Sequence, residues 1–235
     1  MAGNEPEERV ATPLMRQAWR RMTFVHWRVD PAEIARRLPA GLAVDVVDGS
    51  AWIGLTPFHV DRYGVLGLPA LPVVSAFNET NVRTYVRGPD GRDGLWFFSL
   101  DVDSLLNAGG GRLGNVPYHL STMSVRGDDR VRYRCRRLVG GPAYHDITVV
   151  PGDAVGRERE LAELLAGRWR SYVSVASRLV EVPVEHEPWP LREAELVRCD
   201  ESLLARCGLS RPADPPLVHF ADGVNARLGP PRLVD

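Results

Sequence analysis

The side chains best placed to do chemistry lie in one extended run, Phe77 to Val86. Read with the period of two that a strand imposes, Phe77, Glu79, Asn81, Arg83 and Tyr85 share one face. Asn78, Thr80, Val82, Thr84 and Val86 share the other. An acid, an amide and a guanidinium thus stand in a row between two aromatic rings. Inside a closed fold, such charges need partners, because an unpaired buried charge is very costly. A Glu79–Arg83 pair would satisfy both. On a surface, the same two residues would form a cross-strand ion pair worth little. The sequence leaves both readings open.

Other chemistries find less support. The chain has no lysine, so all 29 of its cationic side chains are arginine. A carbonyl compound therefore has no side-chain amine with which to form an imine. His26, His59, His119, His145, His186 and His219 are not paired at metal-ligand spacing, and no metal is expected. Cys135, Cys199 and Cys207 are odd in number and lack CxxC spacing, which argues against a disulfide framework or zinc knuckle. Gly109, Gly111 and Gly114 match G-x-G-x-x-G, but they follow a helical segment and lead into Val116-Pro117. A dinucleotide site needs a strand before them and a helix after. No cofactor is expected.

The elements that must position the row are mostly strands. Trp19–Val29 is aromatic and β-branched. Asp30-Pro31 opens a helix running to about Leu38, which Pro39 stops. Strands Leu42–Val47 and Ala51–Val60 flank a hairpin turn at Asp48-Gly49. Residues 61–75 read as a Gly- and Pro-containing loop across a cavity mouth. Strands follow at Leu95–Leu100, Val116–Val125, Val131–Leu138 and Ala143–Val150, and a helix at Glu158–Ala166. Residues 170–198 read as two strands separated near Pro183. A helix at Glu201–Cys207 and a short strand at Leu217–Ala221 complete the chain. Many strands with a few short helices predict a mainly β (α+β) barrel or curled sheet. One domain over residues 1–235 is expected, with residues 1–13 as a flexible N-terminal tail.

Composition narrows the partners. The net charge of −1 shows no bias toward nucleic acid. No apolar run has signal-peptide or membrane-helix length, so a cytoplasmic protein without membrane contact is expected. A homo-oligomer is compatible with this composition.

Several stretches together resemble the DUF2071 (YqjF-like) family: Thr23-Phe24-Val25-His26-Trp27, Leu38-Pro39-Ala40-Gly41-Leu42 and Asp48-Gly49-Ser50-Ala51-Trp52. The series continues with Phe77–Val86, Phe98-Ser99-Leu100-Asp101, Val116-Pro117-Tyr118-His119, Glu185–Leu191 and Pro216–Val224. The family is similar to the acetoacetate decarboxylase-like superfamily, which implies a conical β-barrel around a small cavity. In decarboxylases of that superfamily, a Tyr-Pro-Lys-Lys segment supplies an imine-forming lysine and a second lysine that lowers its pKa. Here Tyr118 and His119 stand at the corresponding positions. The resemblance implies a pocket carboxylate at Glu79 and a cavity lined further by Arg83, Asn81 and Arg112.

Two functions follow from that resemblance. One is an acid–base enzyme for a carbonyl or carboxylate metabolite. His119 would be its general acid or base and Tyr118 a donor to a carbonyl or enolate oxygen. Glu79 would orient a partner, and Arg83 or Arg112 would hold a carboxylate. The other is a binding protein that holds such a molecule without converting it.

Overall fold

The computed structural model describes residues 5–65, 76–105, 107–109, 116–156 and 159–234. Its strands join into one sheet that closes on itself twice. The strands are β1 (Met15–Val29), β2 (Ala43–Val44), β3 (Ala51–Val65), β4 (Phe77–Arg87), β5 (Asp93–Val102), β6 (Tyr118–Arg126) and β7 (Val131–Arg137). They continue with β8 (Tyr144–Ala154), β9 (Arg170–Val175), β10 (Arg178–Glu185), β11 (Leu191–Glu201), β12 (Leu217–Leu228) and β13 (Arg232–Leu233). Helices α1 (Pro31–Ala35), α2 (Arg159–Ala166) and α3 (Leu203–Arg206) decorate them.

Pairing of β4 with β5 closes a nine-strand barrel in the order β5-β6-β7-β8-β11-β12-β1-β3-β4. Pairing of β10 with β12 closes a second, seven-strand ring in the order β4-β5-β9-β10-β12-β1-β3. The two share β12, β1, β3, β4 and β5. The nine-strand barrel is packed: Val25, Trp27, Ile53, Leu55, Val82, Tyr133, Ile147 and Val149 fill one cluster. At its β5–β6–β7 side, Asp101 accepts from both Nε and a terminal nitrogen of Arg137, at 2.8 and 2.6 Å. It also accepts from the Ser99 and Ser121 hydroxyls at 2.8 Å each.

A long strand that serves both rings must turn its apolar face partway along. β1 does this with a bulge. Arg21 adopts φ 50, and β1 uses one residue more than β3 between the partners Arg20↔His59 and Val25↔Leu55. The extra residue shifts the alternation. Trp19 and Met22, not Trp19 and Arg21, therefore face the same space. Gly223 is required opposite, since a Cβ there would meet the Trp19 carbonyl at 2.1 Å. β3 repeats the device at Arg62, with φ 49.

The Asp48-Gly49 turn forms as expected, with φ 52 and 72 and Val47 bridged to Ser50. Asp30 caps α1, accepting from Ala32 N at 2.8 Å, but α1 stops at Ala35 rather than Leu38. β6 begins at Tyr118, after Pro117. Four points correct the sequence reading. Residues 170–201 form three strands, and the break expected at Pro183 falls at Ala176-Ser177, both left-handed at φ 48 and 64. Pro183 lies inside β10, where that strand changes partner from β9 to β12 and an N–H is not needed. β12 runs on to Leu228, well past Ala221. The described part of the N-terminal segment is seated on β10 and β13, through Val10 N to Glu185 at 2.7 Å and Arg232 to Glu8 at 2.8 Å. The loop expected at 61–75 begins instead as the end of β3; residues 66–75 lie outside the described residues.

A polar stripe in an apolar chamber

The seven-strand ring encloses a cavity of about 480 Å³. β4 forms its polar wall. Glu79, Asn81 and Arg83 point into it, while Thr80 and Val82 point into the packed barrel on the other side of the same strand. Alternation along a strand produces this division directly.

Glu79 is 8% exposed. Burial pushes its carboxyl up to about 8, the Asn81 side chain pulls slightly the other way, and the Asp101 charge adds to the rise. At neutral pH it is thus a carboxylic acid and a donor. Tyr118 is its neighbour, with a phenol raised well above its ordinary range by burial, then by Glu79 and Tyr63. Both are protonated donors.

Arg83 lies at the other end of the stripe and is 5% exposed. Four residues of strand put its Cα about 13 Å from that of Glu79, which is why the expected Glu79–Arg83 pair does not form. Arg83 donates to the Leu165 carbonyl at 3.3 Å and lies over the Phe24 and Tyr85 rings at 5.3 and 5.8 Å. It forms no ion pair with any described carboxylate, and its Nε, like Asn81 Oδ1, is buried without a hydrogen-bond partner. The nearby Arg168 differs: Asp45 and Asp93 accept from it at 2.6 and 2.8 Å. Arg170 is likewise held by Glu7 and by Asp93.

A further polar group of the cavity is His186, a residue that sequence reasoning did not select. Trp169, Trp189 and Trp19 surround it at ring distances of 4.5, 4.8 and 5.8 Å. Its Nδ1 lies 2.6 Å from the Glu187 carbonyl. A carbonyl only accepts, so Nδ1 carries the proton and Nε2 the lone pair. Burial, partly opposed by Glu187 and reinforced by Arg83, lowers its pKa to about 4. His186 is therefore a neutral imidazole near Arg83. The available signal was its motif: a histidine beside Trp189, in a stretch where Pro188 and Pro190 fix the backbone.

His119 is not on the cavity. It follows Tyr118 on β6 and so projects to the opposite face, where its Nδ1 packs on Gly140 of the β7–β8 turn. A Cβ at Gly140 would come within 2.9 Å of it. Arg112 lies outside the described residues. The structure thus brings together Glu79, Asn81, Arg83, Tyr118 and His186, and separates His119 from them. Among the described residues, no group of three or more His, Cys, Asp or Glu side chains is arranged to hold a metal ion. No described helix is long and apolar enough to cross a membrane.

Comparison with known proteins supplies a context for this geometry. The DUF2071 family, described as an uncharacterized conserved protein, matches residues 16–225. YqjF of Bacillus subtilis (strain 168), described as an uncharacterized protein, is 32% identical over 212 residues, 88% of this chain and 87% of that one. Among solved structures, an acetoacetate decarboxylase-like enzyme from Sphingomonas wittichii RW1 superposes with a TM-score of 0.66 at 18% identity, covering 96% of this chain and 95% of that one. The enduracididine biosynthesis enzyme MppR complexed with pyruvate superposes with a TM-score of 0.69 at 17% identity, covering 97% and 93%. The shared feature is the acetoacetate decarboxylase-like fold.

Proposed function

This chain belongs to the DUF2071 family, and on that premise we propose that its chamber takes a small carboxylate bearing a carbonyl group and moves a proton beside that carbonyl. The observation that carries the reading is Arg83: a buried guanidinium that no described carboxylate neutralises. Such a group is costly to leave alone and is matched bidentately by a ligand carboxylate. The pyruvate held by MppR is a molecule of this class.

The other residues divide the work. Arg83 fixes the carboxylate. His186, close to it and neutral, offers Nε2 as the acceptor of a proton from the carbon next to that carboxylate. Glu79 and Tyr118 donate hydrogen bonds to the carbonyl oxygen as it gains enolate character. Asn81 stands between them. Lysine plays no part, so the step is proton transfer without an imine. A bound carboxylate also neutralises Arg83, one of the influences that hold the imidazole's pKa down.

Deuterium exchange tests the proposal. In heavy water, the purified protein is expected to accelerate loss of the α-proton signal of acetoacetate or of a homologous 3-oxo acid. His186→Gln should slow that exchange by roughly 100-fold or more, the usual weight of general-base catalysis. Exchange at the buffer rate would overturn the catalytic reading and leave the chamber a binding site. Binding is checked separately: Arg83→Met is expected to weaken hexanoate affinity roughly 100-fold by calorimetry. An unchanged affinity would remove the carboxylate from Arg83 altogether. His119→Ala, by contrast, should leave both measurements as they are.

A further inference from the structure

The chamber is larger and more apolar than a carboxylate and a carbonyl need. Across the ring from the polar wall of β4 stands β10, three strands away through β5 and β9 and four through β3, β1 and β12. Its inward side chains are Val180, Val182 and Val184, and Val173 and Val175 of β9 continue the same surface. Val180 and Val173 are direct cross-strand partners. Leu228 of β12, the pairing partner of Val184, extends the patch around the ring. Every one of these residues is aliphatic, and none carries a group that a polar ligand would need.

We infer that the preferred ligand has a straight apolar tail of several carbons, which lies along the Val180–Val184 wall while its carboxylate meets Arg83. This inference rests on the head-group assignment to Arg83. Inward positions at 180, 182 and 184 span about 13 Å of strand, a length matched by an extended chain of about eight to ten carbons. β-branched valines present a stiff, methyl-covered surface that loses little conformational freedom when covered. A two- or three-carbon acid would leave that wall against water, where its burial contributes nothing.

The probes are straight-chain saturated acids: butanoate, hexanoate, octanoate and decanoate, each titrated calorimetrically against the intact protein. Each added methylene is expected to raise affinity by roughly fourfold, the effect of burying about 0.8 kcal/mol of apolar surface. Val182→Phe places a larger side chain in the tail space. It is expected to weaken octanoate and decanoate by more than tenfold while leaving butanoate unchanged. Arg83→Met should lower all four by one common factor and preserve the slope.

A flat series in the unmodified protein overturns the tail assignment. If Arg83→Met still weakens every acid in that case, the head group stands. A slope that survives Val182→Phe unchanged also overturns the assignment, since the tail would then lie elsewhere. The converse result, a normal slope with no effect of Arg83→Met, overturns the carboxylate reading and keeps the tail.

Discussion

At pH 9, Glu79→Gln is expected to be more stable than the unmodified protein by about 4 kcal/mol, and the two should be nearly equal at pH 4.5. The direction follows from proton binding. In the unfolded chain, Glu79 releases its proton near its ordinary 4.5; in the folded chain it holds it until about 8. Between those values the folded state binds the extra proton, so stability falls as pH rises. Above about 8 the full cost of a charged carboxylate in the chamber is present. Glutamine has no such proton and fits the same space. Urea denaturation of both proteins at half-unit pH intervals measures the gap. A gap that stays constant between pH 5 and 9 would mean that Glu79 is ionised throughout, and the acid role would be lost with it.

Asp101→Leu is the second large effect, a destabilisation of about 4 kcal/mol. Asp101 is fully buried and accepts from the Arg137 guanidinium and from two serine hydroxyls. Removing it strands a charged guanidinium, itself 4% exposed at the side chain, in the packed barrel. Arg137→Met alone should also destabilise, because it leaves the carboxylate with only the serines. The double variant, Asp101→Leu with Arg137→Met, should recover much of the loss, since two apolar side chains strand no charge. A double-mutant cycle on the midpoint of urea unfolding resolves these contributions. Additive losses would show that the pair is not coupled as its geometry implies.

These two residues illustrate what the sequence reveals. The polar row of β4 was legible because alternation is a local property, and the division into a stripe and a core follows from it. The Asp48-Gly49 turn was equally local. The role of Asp101 and Ser99 was not, since their partner Arg137 lies two strands later in the chain. His186 escaped for a similar reason: the tryptophans that surround it come from β1, from the α2–β9 connection and from its own loop. The turn at Ala176-Ser177 carries neither glycine nor asparagine, so nothing in its residue types marks two left-handed positions. His119 was misplaced because alternation puts neighbouring residues on opposite faces: Tyr118 and His119 cannot both enter one chamber.

The partition wall between a filled space and an empty one has a consequence for how this chain can change over time. Deleting one residue from the middle of β4 would exchange the two faces beyond that point. Guanidinium and amide would be driven among close-packed methyl groups, and valine would be left facing the void. Lengthening the hairpin tip at Gly88–Arg92 would do neither, because it lies beyond the shared wall. Insertions and deletions should therefore accumulate at that tip and be absent between Glu79 and Arg83, where only one-for-one replacement keeps the two compartments distinct.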